Sequence, residues 1–319
     1  CAAVEMPLSN ADLSAWGAER VAAGMAADGW LRHRAGRWYP TDRDDGPRIS
    51  GAHSAVDLRG GGGAEVAIVD GTDGRMLGTV DVSRAMQQVH DGAVYLHRGE
   101  SFVVDHLDLE SLLAVTHPEE PEWSTHSRMD TDIRVLAVDS VRDVAPGIQV
   151  ASVEVEVENR VTGYLRRLHS GEVLDSVELD YPPQLLETRA VAYTLSPAVL
   201  RRWGIEEADV PGSLHAAEHA AIGLLPLVAT CDRWDIGGVS TALHIDTGQP
   251  TVFVYDGHPG GAGFADRGFA EFGHWIRATR DAVAACECDA GCPSCIQSPK
   301  CGNGNEPLDK AGAVRVLSG

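Results

Sequence analysis

Residues 286–305 read CECDAGCPSCIQSPKCGNGN, which places five of the chain's seven cysteines within sixteen positions, Cys286 to Cys301. The spacing Cys288-x3-Cys292-x2-Cys295-x5-Cys301 offers four thiolates on tight turns, with Gly291, Pro293, Pro299 and Gly302 bending the backbone around a centre. Tetrahedral structural zinc takes four such ligands about 2.3 Å away and leaves no position for water. Its gross binding energy of roughly 10–16 kcal/mol holds a loop that has few apolar side chains. The sequence therefore predicts one structural zinc on Cys288, Cys292, Cys295 and Cys301. Cys286 is the spare, expected to lie on the incoming helix. An iron–sulfur cluster and redox-active thiols are the rival readings. A c-type haem site would need histidine after Cys295, and Ile296 stands there. The Cys-x3-Cys-x2-Cys spacing also occurs in radical enzymes that bind S-adenosylmethionine, but those build a large barrel after the motif, and only 24 residues follow Cys295.

Working outward, 319 residues suffice for about two domains at roughly 150 residues each. Hydrophobic residues at 44% and charged ones at 23% allow an ordinary core, so the cysteines concern a local element. No run of 18 apolar residues occurs, and the opening CAAVEMPLSN lacks the basic flank and apolar stretch of a signal peptide. The reading is a soluble, cytoplasmic protein with no membrane partner, in which thiols stay reduced and disulfides are disfavoured. An opening at Cys1 without methionine reads as a fragment. The net charge of −21 argues against a uniformly basic nucleic-acid surface. Lys300 and Lys310 are the only lysines among 26 basic residues, a bias ascribed to genomic composition although arginine also suits forked phosphate contacts.

Along the chain the pattern is α+β, in three segments: 1–48, 49–120 and 121–319. In the first, Ser9 or Asn10 caps a helix carrying Leu13, Trp16, Val21 and Met25 and ended by Gly29; two short strands follow around Ala35-Gly36. Helix plus hairpin reads as a winged-helix remnant. Its wing carries Arg32, Arg34 and Arg37 beside Trp38 and Tyr39, a mixture for phosphate contact and stacking, against the plainer reading of a solvated hairpin. From Ser50 to about Val115, short strands around Asp73-Gly74 and Arg98-Gly99 turns read as a small antiparallel barrel-like region. Pro118 to Pro121 marks a break. A second hairpin or meander follows, with Tyr164, Arg166 and Arg167 at its tip as candidate nucleic-acid contacts. The last part is mixed α/β. A Ser-Pro start opens one helix, a buried helix spans GSLHAAEHAAIGLLPLVA, TVFVYD is a buried strand, and a glycine-rich turn feeds a long amphipathic helix that delivers Cys286.

Competing motifs are weaker. His215 to His219 reads HAAEH, the H-x-x-E-H pattern of inverted zinc peptidases, with two histidines on one helix face and Glu218 as base. A separate acidic ligand is not identifiable, and core histidines are the plainer reading. No G-x-S-x-G occurs, and Cys231 has no recognisable base partner. GHPGGAGF suits either a phosphate cradle or a tight strand-to-helix turn. With lysines only at 300 and 310, no G-K-[ST] phosphate loop exists in these residues.

The blocks HAAEHAAIGLLPL, CDRWDIGG, VYDGHPGGAGFADRGF and CECDAGCPSCIQSPKCGNGNEPLDKAGA together resemble the zinc-binding C-terminal domain of MrfA-type helicases. CAAVEMPL and IVDGTDGRMLGTVD…GAVYLHRGESFVVDHLDL resemble the region behind the motor in the same family, notably its actinobacterial SftH-like branch. The resemblance implies an ATP-dependent 3′-to-5′ superfamily-two DNA helicase linked to DNA repair, nucleoid-associated, whose RecA-like motor domains lie upstream. It also implies one zinc on four cysteines and no catalytic residue in this part. The expected function is an accessory fragment that binds single-stranded DNA and braces the motor; the alternatives are a zinc peptidase built on HAAEH and a purely structural interaction module.

Overall fold

The computed structural model describes residues 1, 6–41 and 64–319. The chain divides into two compact units, Cys1–Gly62 and Gly63–Gly319. The stretch 50–63, read as the start of the β pattern, lies outside the described residues, as does the expected boundary at 48/49.

In the first unit, strand β1 (Leu8–Ser9) leads into helix α1 (Asn10–Ala15), where Ser9 and Asp12 form a reciprocal capping box. Helix α2 (Glu19–Ala27) follows after Gly17, whose φ of +61° breaks the single helix the sequence predicts. Strands β2 (Leu31–Arg34) and β3 (Arg37–Pro40) pair around Ala35 and Gly36, both at positive φ as a type I′ turn requires. The sheet order is β1-β3-β2. Leu13, Ala22 and Leu31 form a small core. Trp16, Val21 and Met25, expected on the apolar face, are exposed instead, while Leu13 and Ala22 face the small core.

The second unit holds two sheets. Strands β4 (Glu65–Asp70), β5 (Met76–Asp81), β6 (Val94–His97), β7 (Glu100–Asp108) and β8 (Leu113–Pro118) run in the order β5-β4-β8-β7-β6. Helix α3 (Val82–Gln88) sends Ala85 and Met86 into a core with Val66, Ile68, Phe102 and Val104. The expected all-antiparallel region is corrected at one pair. β4 and β8 run parallel, since the intervening helix and hairpin are long enough for a crossover.

The second sheet is dominated by β9 (Trp123–Ala145) and β10 (Ile148–Leu168). β10 is flanked along its length by β9, and on its other side by β12 (Gln184–Leu195) and then β11 (Val173–Glu178). β14 (Thr251–Asp256) and β13 (Ile236–Thr241) continue beyond β12. One face carries Ile148, Val150, Val191, Tyr193, Val252 and Val254 against helices α4 (Pro197–Arg202), α5 (Val210–Leu224), α7 (Phe272–Ala285) and α8 (Lys310–Val316). The other holds Val153, Val155, Val157, Ala190, Ala192, Phe253 and Tyr255. With apolar clusters on both faces, every residue of TVFVYD is buried and alternation vanishes from the sequence. The expected long helix after the glycine-rich turn is two, α6 (Phe264–Ala270) and α7, parted at Glu271.

Candidate metal centre

Helix α7 stops at Ala285. Cys286 is already extended (φ −73°, ψ 126°), so its side chain turns towards the loop that follows. The Sγ atoms stand 3.6 Å apart for Cys286–Cys288, 3.6 Å for Cys286–Cys292, 3.5 Å for Cys288–Cys295 and 3.8 Å for Cys292–Cys295. A disulfide would need about 2.05 Å, and all seven cysteines are free. A tetrahedron of sulfurs 2.3 Å from one ion has edges of about 3.8 Å. The set therefore fits a single zinc-sized ion, whereas a multi-iron cluster would spread its sulfurs further. Cys286, the expected spare, takes the corner expected for Cys301. Spacing alone misplaced the end of α7.

Backbone geometry presents these sulfurs. Gly291 has φ +110°, and a Cβ there would lie 2.2 Å from the Ile296 side chain. Ile296 is fully buried in the helical core and anchors the loop. Between them the carbonyl of Cys292 accepts from the N–H groups of Cys295, Ile296 and Gln297, and the Cys292 N–H donates to Cys295 Sγ at 3.3 Å. Hydrogen bonds chiefly from the Ser294 backbone, then Cys286, bring the Cys292 thiol down to about 7. Burial pushes Cys295 up to about 12. A metal ion would offset that burial cost, since the ligand is the thiolate.

Both lysines of the chain serve this region. Lys310 Nζ donates to the carbonyls of Cys286 (2.6 Å) and Cys288 (2.5 Å) and lies 3.4 Å from Cys288 Sγ. Lys300 Nζ donates to the carbonyls of Arg233 (3.3 Å) and Ile236 (2.8 Å) and sits 5.2 Å from the centre of the Trp234 ring. Burial, then Arg84 and Arg233, lower its ammonium to about 8. A compact ammonium converges on several carbonyls where a planar guanidinium does not. Sequence reading counted these lysines without finding their role.

Cys301 lies in a second cluster, with His215 and His219. Nδ1 of His215 donates to the Pro307 carbonyl and Nδ1 of His219 to that of Ile296, each at 2.9 Å. Glu218 points elsewhere, to Ser240 and the underside of β13 and β14. Burial raises its carboxyl to about 7. The peptidase reading is corrected on that ground: the third group beside the histidines is a thiol, and the proposed base is in the core.

The glycine-rich turn holds a carboxylate of its own. Asp256 accepts from the N–H groups of Ala262 (2.6 Å), Phe264 (3.2 Å) and Ala265 (2.7 Å), so the donors a phosphate would use are taken. The candidate nucleic-acid residues fall in different settings. Arg32, Arg34 and Arg37 are exposed on the hairpin of the first unit. Trp38 is half-buried, its ring tilted against that of His33, with Nε1 donating to Asn10. Tyr164 is corrected: it is 7% exposed and packed on His90, because β10 is a central strand and not a hairpin tip. Arg166 pairs with Asp175 over the Trp123 ring. The Nε of Arg167 is buried with no hydrogen-bond partner among the described residues.

Comparison with known proteins agrees with this geometry. The MrfA Zn-binding domain model matches residues 217–296, which enclose Cys286, Cys288, Cys292 and Cys295 and exclude Cys301. The chain is 28% identical over 301 residues to "Uncharacterized ATP-dependent helicase YprA" of Bacillus subtilis, covering 93% of this chain and 39% of that protein. It is 36% identical over 107 residues to "Uncharacterized protein MJ1572.1" of Methanocaldococcus jannaschii, 33% of this chain and 96% of that one. The crystal structure of the DUF1998 helicase MrfA bound to DNA shares the fold, with TM-score 0.62 and 24% identity over 94% of this chain and 39% of that one. The chain thus spans about two fifths of these longer proteins. No helix among the described residues is long and apolar enough to cross a membrane. The chain belongs to the MrfA-like family and carries its Zn-binding domain, with one structural zinc at the cysteine cluster.

Proposed function

We propose that this chain is the accessory portion of an ATP-dependent 3′-to-5′ DNA helicase acting in DNA repair at the nucleoid. It binds or guides single-stranded DNA and braces the RecA-like motor domains, and it has no catalytic residue of its own. The observation that carries this reading is the similarity running over 93% of the chain to a protein named an ATP-dependent helicase. In this reading the segments 1–48, 49–120 and 121–319 are the working domains, and the zinc is held by Cys286, Cys288, Cys292 and Cys295 as a scaffold.

DNA contact is assigned to the hairpin of the first unit. Arg34 and Arg37 are directly opposed across β2 and β3. Like charges in that register cost stability, and a phosphate placed against them removes the cost. Arg32 adds a third exposed cation on the same strand. Labelled single-stranded DNA titrated against salt tests the reading. With Arg32, Arg34 and Arg37 all replaced by glutamine, the salt slope should fall by about two, at roughly 0.7 per phosphate contact. Absence of binding by the unaltered chain at low ionic strength would leave bracing as the remaining role, consistent with the net charge of −21.

A further inference from the structure

We propose that His215, His219 and Cys301 form a second metal site, separate from the four-cysteine zinc and taking a zinc-class divalent ion. One ligand atom from each of the three lies within 4.8 Å of the others. The two histidines are one turn apart on α5, with ring centroids 4.3 Å apart. Carbonyl oxygens accept and never donate, so the bonds from His215 Nδ1 to Pro307 and from His219 Nδ1 to Ile296 fix a proton on each Nδ1. Each Nε2 is thereby left with its lone pair, as a ligating imidazole requires, and backbone carbonyls are among the usual partners that orient such rings.

The third ligand arrives from the loop after the first site. Cys301 Sγ is 3.5 Å from His215 Nε2. Tetrahedral zinc with nitrogen at 2.0–2.1 Å and sulfur at 2.3 Å gives an N···S edge of about 3.6 Å. The N–H of Asn305 donates to the same sulfur at 3.2 Å, which favours its thiolate form. Two imidazoles and a thiolate form a borderline-soft donor set suited to zinc and poorly suited to magnesium or calcium. Three protein ligands leave one coordination position, and both His215 and Cys301 are partly exposed, so water completes the shell.

The consequence is mechanical. The first site closes 286–295 on itself. The second ties the loop beyond it to α5, which lies against β13 and β14 in the core of the unit. Cys301 lies past the matched Zn-binding domain and His215 lies before it, so the second ion would join the two flanks of that domain.

Metal content of the purified chain, measured after equilibration with zinc in slight excess over two equivalents and removal of unbound metal, tests this. Two zinc per chain are expected, falling to one in Cys301→Ala and in His215→Ala. Cobalt substitution identifies which site is lost, because the four-thiolate charge-transfer bands should persist in both variants and prove the first site folded. One zinc per wild-type chain, or two in both variants, overturns the proposal and leaves Cys301–His215 as a plain S–H···N hydrogen bond.

Discussion

The ammonium of Lys310 lies 3.4 Å from the sulfur of Cys288 while donating to the carbonyls of Cys286 and Cys288, so one cation holds both the loop segment that carries two ligands and the charge of one of them. A site of four thiolates has a net charge of about −2 with zinc bound, and a neighbouring cation offsets part of it. Lys310→Met should weaken zinc affinity about 10–100-fold, the range for loss of an outer-shell partner. Competition with a chromophoric chelator reads it out. Lys310→Arg should not restore affinity, because its planar fork does not converge on two carbonyls and a sulfur. Full recovery with arginine would show that charge alone matters.

Which cysteine is the fourth ligand is settled by a pair of variants. Cys286→Ser should release the ion of the four-cysteine site, and Cys301→Ser should keep it, as reported by cobalt charge-transfer intensity. The reverse result would restore the ligand set that spacing suggested. Loss of this zinc should melt the helical layer around Ile296 first, since Cys295 and Ile296 belong to that core. The sheet β4–β8 has its own cluster around Phe102 and Ile68 and should keep its hydrogen-exchange protection.

Much of this architecture was legible where a local rule has one solution. Ala35-Gly36 between two short strands admits a hairpin, Ser196-Pro197 opens α4 by side-chain capping, and α5, apolar on most faces, reads as a buried helix. What stayed hidden depends on contacts far apart in sequence. Cys286 joins the four-sulfur cluster because α7 stops one residue early, and its partner Lys310 is 24 residues away. Tyr164 looked like a tip residue because β10 reads as one arm of a hairpin, whereas it lies between β9 and β11 with its ring packed on the distant His90. The partition of seven candidate metal-ligating side chains between two clusters follows from where α5 packs, which no spacing rule contains.

His90 makes the first sheet of the second unit sensitive to acid. It is 1% exposed, packed against Tyr164, and its Nδ1 donates to the Asp91 carbonyl at 3.0 Å. Burial pushes its pKa below the ordinary histidine value, outweighing the pull of Asp91. The unfolded chain therefore takes up this proton more readily than the folded one. The stability His90 contributes is fully present above about pH 6.5 and is lost as pH falls below it, by up to about 1.4 kcal/mol per pH unit. Urea midpoints taken one unit either side of that pH should differ in the native chain and converge in His90→Asn. Equal slopes in the two would assign the acid sensitivity to other groups.

Asp256 closes the turn that launches α6, and its replacement isolates what a buried carboxylate does when it is not part of a metal site. Burial pushes its carboxyl up, against the pull of the N–H groups of Ala265, Ala262 and Phe264. Those donors all point at its two oxygens, at 2.6 to 3.2 Å. Asparagine has the same shape but presents an NH2 to at least one of them, so donor meets donor at a fully buried position. Asp256→Asn should therefore cost about 2–3 kcal/mol, the penalty for a buried backbone donor left unsatisfied plus the lost charge assistance. Denaturant melting measures the loss, and an unchanged cobalt spectrum confirms that the zinc loop is untouched. A variant as stable as the native chain would mean that the glycine-rich turn keeps its shape from its glycines alone, with its N–H groups then free to receive an anion.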